Sequence, residues 1–484
     1  MTAIIKKLWL TTFIVVLSAC DQSSENQQNE TDDSNAIQMK SAYEEQYSHI
    51  ANLRDQALKS DLAYEILESL TTEVGPRMAG TPQDALAVEW GMNKFKELGF
   101  DKVWKEPVTF DTWIRKEETA EIISPYAHKL HATALGFSVP TPEDGIEAEI
   151  VQFDSIEDLM ASPEDSAKGK IVFISRKMER FKNGKGYGPA VKARSTGASE
   201  ASKKGALAVV IRSIGTDSHR LPHTGMMRYE EGVDKIPAAA ISNPDADLIM
   251  NMLKRDLPVT LKLKLGSHAG PQYTSYNVIG EITGASLPEQ KIVIGGHLDS
   301  WDLGTGAIDD GAGVAITMAA AKLIADGEKR PKRTIRVVLW ANEEQGLVGA
   351  KAYAAAHEDD LENHITGAES DFGAGRIYAF ASRVSDADFE TVNVMAELMK
   401  PLGIVYLDNN GGPGPDLSPM FAKGMSAFSL RQDGTDYFDL HHTADDTLDK
   451  VDPEALAQNV AAYVVFASVA ADSEKTIRRS NPTE

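Results

Sequence analysis

The spacing of apolar positions changes twice along the chain. From Ser41 to Leu98 apolar residues recur mostly at helical intervals, as in AYEILESLTTEV and ALAVEWGMNKFKELGF, with a Gly75-Pro76 turn between these segments. Residues 41–119 are therefore expected to be the helical N-terminal part of a later domain. From about Ala120 to Leu265 the pattern shortens to β-type runs, IEAEIVQF, GKIVFIS, GALAVVIRS, IPAAAIS and PVTLKLKL, separated by Gly, Pro and charged turns. That stretch, 120–265, is expected to be a separate strand-rich domain.

Beyond about Ser275 strands alternate with helices: KIVIGGH, GAGVAITMAAAKLIADG, TIRVVLWANEE, QGLVGAKAYAAAH, TVNVMAELMKPLG and PEALAQNVAAYVVFASVAA. Apolar strands alternating with helices of this length predict an α/β domain over 266–475, with a mixed, mostly parallel sheet covered by helices on both faces. Ligands of such sheets sit beyond the carboxyl ends of the strands. A tail at 476–484 follows.

Chemistry gathers at those ends. The strand KIVIGG runs into His297, Asp299 and Asp302, and the same glycine-rich loop carries Asp309-Asp310; RTIRVVLWAN runs into Glu343-Glu344; HITGAESDFGAG delivers Asp371; DYFDLHHTADDT supplies His441, His442 and Asp445-Asp446. Like charges crowded into a flexible loop repel unless a cation sits among them. Imidazole and carboxylate are what Zn2+ takes where no thiolate is at hand, and a carboxylate can bridge two ions. Five ligands with one bridge fit a two-metal centre with open positions for water or substrate. Asp299, two residues past His297, is placed to accept the other ring N–H of that histidine.

Composition narrows the class further. Lys+Arg 49 against Asp+Glu 72 gives a net charge of −23, which repels phosphate backbones and argues against a nucleic-acid partner. Lys6 and Lys7 precede a short apolar run, Leu8 to Leu17, and then Ser18-Ala19-Cys20, the pattern of a secretory signal ending in a bacterial lipobox. Residues 1–20 are thus expected to be a lipoprotein signal peptide, with Cys20 lipidated, and the polar, acidic residues 21–40 a solvated tether. The expected location is the periplasmic side of a bacterial envelope, with the membrane touched through the lipid alone. Cys20 is the only cysteine, so a thiol nucleophile or thiolate zinc site is excluded from the folded body.

The segments GGHLDSWDLGTGAIDDGAG, RVVLWANEEQGLVGA, ESDFGAG and YFDLHHTADDT closely resemble the co-catalytic zinc exopeptidases, nearest the plasma glutamate carboxypeptidase (carboxypeptidase Q) group. The likeness continues through VGPRMAGTP, HTGMMRYEEGVDKIPAAAIS and GEITGASLPEQ, and spans roughly residues 60–470. It implies a zinc peptidase domain with an inserted β-rich protease-associated domain and two Zn2+ per chain. His297 and Asp371 would hold one ion, Glu344 and His442 the other, and Asp309 would bridge. Glu343 would be the general base. His441 and Asp416 would border the substrate, with Pro415 stiffening a turn that relatives build as Gly-Thr-Asp or Gly-Ser-Asp. The implied activity is hydrolysis of dipeptides or short peptides next to a free terminus, in a possible homodimer. Alternatives are an aminopeptidase on longer peptides, a non-catalytic binding protein on the same fold, and single-zinc glutaminyl cyclisation.

Overall fold

The computed structural model describes residues 44–479, so the signal peptide, Cys20, the tether and the last residues of the tail lie outside the described residues. From His49 onward the described chain is one compact unit. It is built on two eight-stranded sheets.

The larger sheet has the order Lys102–Ile114, His268–Ile282, Arg333–Trp340, Leu287–His297, His364–Glu369, Ser426–Gln432, Ile377–Arg383, Val405–Tyr406. Its four central strands, from Arg333–Trp340 to Ser426–Gln432, are mutually parallel, and the flanking pairs that join them are antiparallel. Every residue of Arg333–Trp340 and of His364–Glu369 is buried, as a sheet covered on both faces requires. Adjacent residues of His268–Ile282 show that cover: Val278 meets the helix Pro82–Glu97 at Gly91, while Asn277 on the other face meets Val348–Ala356 at Gly349. The helix Pro453–Asp472, capped by Asp452 and started by Pro453, is long and apolar enough to cross a membrane, but 94% of its apolar window is buried within the protein.

Residues 41–119 are not helical throughout. Lys102–Ile114 is a 13-residue strand antiparallel to His268–Ile282 at the sheet's edge. Val108, Phe110 and Thr112 turn inward while Thr109 and Asp111 face out, a period of two hidden by the charges around it. Pro107, which has no N–H to donate, is tolerated because the strand is an edge.

The second sheet uses the chain from Glu118 to Leu265, in the order His128–Leu130, Glu118–Ser124, Thr260–Leu265, Ile146–Phe153, Ile171–Ile174, Ala208–Arg212, Ala238–Ile241, Ala132–Ala134. The helices Tyr187–Lys203 and Asn243–Leu253 belong to the same stretch. Trp301, two residues past Asp299, enters the apolar core of this sheet beside Trp113, with ring centroids 6.4 Å apart. Its indole lies where a side chain on Gly136 would stand, 2.2 Å from the position of a Cβ there. The loop after Leu287–His297 is therefore anchored in both sheets.

Candidate metal centre

His297 ends its strand at the carboxyl edge of the larger sheet, and Glu343-Glu344 follow the neighbouring strand by a few residues. Asp309 lies just before the helix Ala312–Ala325, and the Asp309-Asp310 peptide bond is cis. Asp371 follows His364–Glu369, and His442 adopts a left-handed φ of 59° after the short helix Tyr437–Leu440.

These five side chains meet. Nε2 of His297 is 3.1 Å from Asp309 Oδ1 and 3.7 Å from Asp371 Oδ1. Nε2 of His442 is 2.9 Å from Glu344 Oε2 and 3.2 Å from Asp309 Oδ2. They form two triads, His297/Asp309/Asp371 and Asp309/Glu344/His442, each with ligand atoms within 4.8 Å of one another and with Asp309 common to both.

The electrostatics show how the side chains of this cluster act on one another. Burial and neighbouring carboxylates push Glu343 well above the usual carboxylate range, and burial also raises Glu344 and Asp371. Asp309 goes the other way: burial alone would raise it, but the imidazoles of His441, His297 and His442 hold it well below its ordinary value. Burial disfavours charge on His442, yet Glu344 and Asp309 raise it to about 9. The buried Oε1 of Glu344 has no hydrogen-bond partner among the described residues, as a carboxylate oxygen that ligates a metal would. With oxygen and imidazole donors and no sulfur, the set fits zinc.

Supporting groups fix the loops. Nη1, Nη2 and Nε of buried Arg77 donate to the carbonyls of Thr305, Gly306 and Leu298, all in the loop that carries the aspartates. Asp310 accepts the backbone N–H groups of His297 and Gly313, and Asp446 accepts those of Ile308 and Asp309.

Two expected roles need correction. The Nδ1–H of His297 donates to the backbone carbonyl of Asp299 at 2.9 Å, while the Asp299 carboxylate stands 3.8 Å away and instead accepts the Glu343 N–H at 3.0 Å. Asp299 therefore orients His297 through its main chain, and its side chain positions Glu343. Asp416 does not border the substrate, because it is fully buried: its N–H and that of Leu417 donate to Glu369 Oε2, which draws the turn inward. Pro413, Gly414 and Pro415 line the cavity in its place. His441 does line the cleft, 3.4 Å from Asp309 Oδ2 and stacked 3.6 Å from the His442 ring.

The facing wall comes from the second sheet's part of the chain and was not expected from sequence. Tyr187, Arg194, Met226 and Arg228 line a cavity of about 500 Å3 together with Asp309, Glu343 and Glu344. His223 stacks on His442 at 4.8 Å, and Arg194 Nη1 donates to its Nε2 at 2.6 Å. The segment HTGMMRYEEG holds His223 and Arg228, and its resemblance to the family was the signal that could have placed them. On the Asp371 side a smaller cavity of about 280 Å3 is lined by Tyr378, Phe428, Leu430 and the prolines.

Residues 277–467 match the profile of Peptidase family M28. Bovine carboxypeptidase Q (Bos taurus) is 37% identical over 431 residues, covering 89% of this chain and 90% of its own. A peptidase M28 precursor from Shewanella amazonensis has a crystal structure that superposes with a TM-score of 0.88 at 55% identity, covering 90% of this chain and 98% of its own. The fold also matches a zinc aminopeptidase from Bacillus subtilis, with a TM-score of 0.60 at 22% identity over 87% of this chain and 97% of the other. The paired His and carboxylate triads at the sheet edge and likenesses covering about nine-tenths of the chain lead to one assignment: the chain belongs to peptidase family M28 and is a metallopeptidase.

Proposed function

We propose that the protein is a two-zinc exopeptidase hydrolysing dipeptides or short peptides next to a free terminus. The observation that carries this reading is the sharing of Asp309 between two ligand triads, with Glu343 alongside them and outside both. His297 and Asp371 would hold one ion, Glu344 and His442 the other. Bound zinc supplies Lewis acidity and brings the pKa of water toward neutral.

Glu343 is the group that moves protons. Its N–H is pinned by Asp299, so its carboxylate faces the cavity from a fixed backbone. It takes a proton from the attacking water as the oxygen adds to the scissile carbonyl carbon. It returns that proton to the amine nitrogen as the C–N bond breaks. Tyr187, Arg194 and Phe438 line the cleft beside Glu343.

The same reading takes residues 120–265 as a protease-associated domain, short peptides as partners in a possible homodimer, and Cys20 as a lipid anchor on an exported enzyme. An aminopeptidase acting on longer peptides is the second reading, favoured by the apolar cavity on the Asp371 side, which suits a terminal side chain. One experiment separates them: metal content together with hydrolysis of a free, an N-acetylated and a C-amidated dipeptide. Two zinc ions per chain and cleavage of the free dipeptide are expected. One zinc per chain, or no hydrolysis of any of the three, would sink the proposal.

A further inference from the structure

A histidine that ligates through Nε2 needs its Nδ1 proton held by an acceptor, which fixes the tautomer and the plane of the ring. For His297 that acceptor is local, the carbonyl of Asp299 two residues further on. For His442 it comes from far away. Its Nδ1–H donates at 3.3 Å to the carbonyl of Thr224, 218 residues distant in the part of the chain that builds the second sheet. The N–H of Thr224 donates in return to the His442 carbonyl at 3.0 Å.

Thr224 is fully buried and its hydroxyl is oriented from two sides, donating to the Ala134 carbonyl at 2.9 Å and accepting from Arg115 Nη2 at 3.0 Å. Arg115 lies between Lys102–Ile114 and Glu118–Ser124, in the short connection that carries the chain from one sheet to the other. Its Nε–H donates to both oxygens of Asp302, in the loop that begins at His297, and its Nη1 to Glu118, Thr133 and the Ala134 carbonyl. A planar fork of donors can meet separate segments at once, which the point charge of a lysine could not. One guanidinium thus joins the loop of one ligand histidine to the residue that orients the other.

The two ends of this link are unequally supported. The loop after His297 is also held by three donors of Arg77, and the His297 N–H by Asp310. Among the described residues the Thr224 hydroxyl has only Arg115 and the Ala134 carbonyl. Resting on the two-zinc reading above, we propose that Arg115 is a positioning residue for the ion held by Glu344 and His442, acting through Thr224, with no such effect on the ion of His297 and Asp371. The second sheet's part of the chain is then a component of the metal centre as well as a wall of the cleft.

The experiment follows the loss of Zn2+ to an excess of chromogenic chelator from the wild type, R115M, T224V, T224S and the R115M/T224V double variant, with thermal melts alongside. The wild type should release two ions per chain. T224V keeps the branched shape and leaves the ion pairs of Arg115 intact. In it one ion should leave about 10-fold faster or more, the scale for a group that orients a ligand, while the other keeps its wild-type rate. T224S, which retains the hydroxyl, should match the wild type. R115M should speed the same ion, and the double variant should go no faster than R115M alone, because both changes cut one path. In E344Q, which gives up a ligand of that ion, adding T224V should leave the release of the remaining ion unchanged. Equal acceleration of both ions, no acceleration in T224V, effects that add in the double variant, or faster loss of the ion left in E344Q overturns the proposal. Should R115M fail to fold, T224V against T224S decides it. A wild type that releases one zinc per chain sinks the two-zinc reading, whereas faster loss of that single ion in T224V and not in T224S keeps the link to His442.

Discussion

Asp446 accepts the backbone N–H of Asp309 at 3.2 Å, while its other oxygen takes that of Ile308 at 2.6 Å. A carboxylate from the C-terminal part of the chain thus sets the conformation of the residue common to both triads. In D446A two buried N–H groups lose their acceptor and the Asp309 loop loosens. Zinc affinity, measured by competition with a chromogenic chelator, should fall about 10- to 100-fold, the range for partners that orient a ligand.

Replacing Glu343 by Gln keeps the shape of the side chain and removes its basicity. Metal content should stay at the wild-type level while kcat falls about 100-fold or more. Near wild-type turnover in that variant would place the base elsewhere.

Arg77 is buried without an ion-pair partner among the described residues, and burial lowers its pKa against the pull of Asp446 and Asp299. Its contribution is three charged donors to carbonyls of one loop. R77M keeps the bulk and loses all three. It should destabilise the protein by about 3 kcal/mol or more, read from urea denaturation, and reduce metal binding as well.

Metal removal should act on stability as well as on turnover. An ion that binds only the folded protein stabilises it by about 2.7 kcal/mol at 100 times its Kd. Chelation should therefore lower the unfolding temperature, and added Zn2+ should restore it. A melt unchanged by chelator would show that the imidazole–carboxylate pairs alone hold the loops.

His364 predicts a pH dependence away from the metal centre. Burial, with Arg336 and Lys291 nearby, lowers its pKa to about 3, and its neutral ring is fixed between the Tyr353 hydroxyl and the Asp360 carbonyl. The unfolded chain takes up this proton below about pH 6.5, whereas the folded one does so only near 3. Stability is thus expected to fall as pH drops through that window, with a slope of up to about 1.4 kcal/mol per pH unit from this group. H364Q should flatten the slope in a series of melts between pH 6.5 and 4.

The sequence made the acidic edge legible because buried parallel strands are unbroken apolar runs, so each chemical residue stands just past a clear landmark: His297 after KIVIGG, Glu344 after RVVLWAN, Asp371 after HITGAES. What the Asp299 carboxylate touches was not legible, since the loop's path decides whether a main-chain or side-chain oxygen meets His297. Arg194 sits in KARSTGASEASKK, where a cation on a polar helix has the look of a solvated face; only the packing of that helix against the His441-His442 turn buries it. The strand Lys102–Ile114 escaped notice because its partner, His268–Ile282, is more than 150 residues away and the pairing, not local spacing, imposes the extended form.

Tyr187, Arg194 and Arg228 share a cavity of about 500 Å3 with Asp309, Glu343 and Glu344, a space far smaller than a folded domain. Steric exclusion then does the work that other proteases assign to an inhibitor or a propeptide. A stable globular protein incubated with the enzyme is expected to stay intact, which mass spectrometry checks.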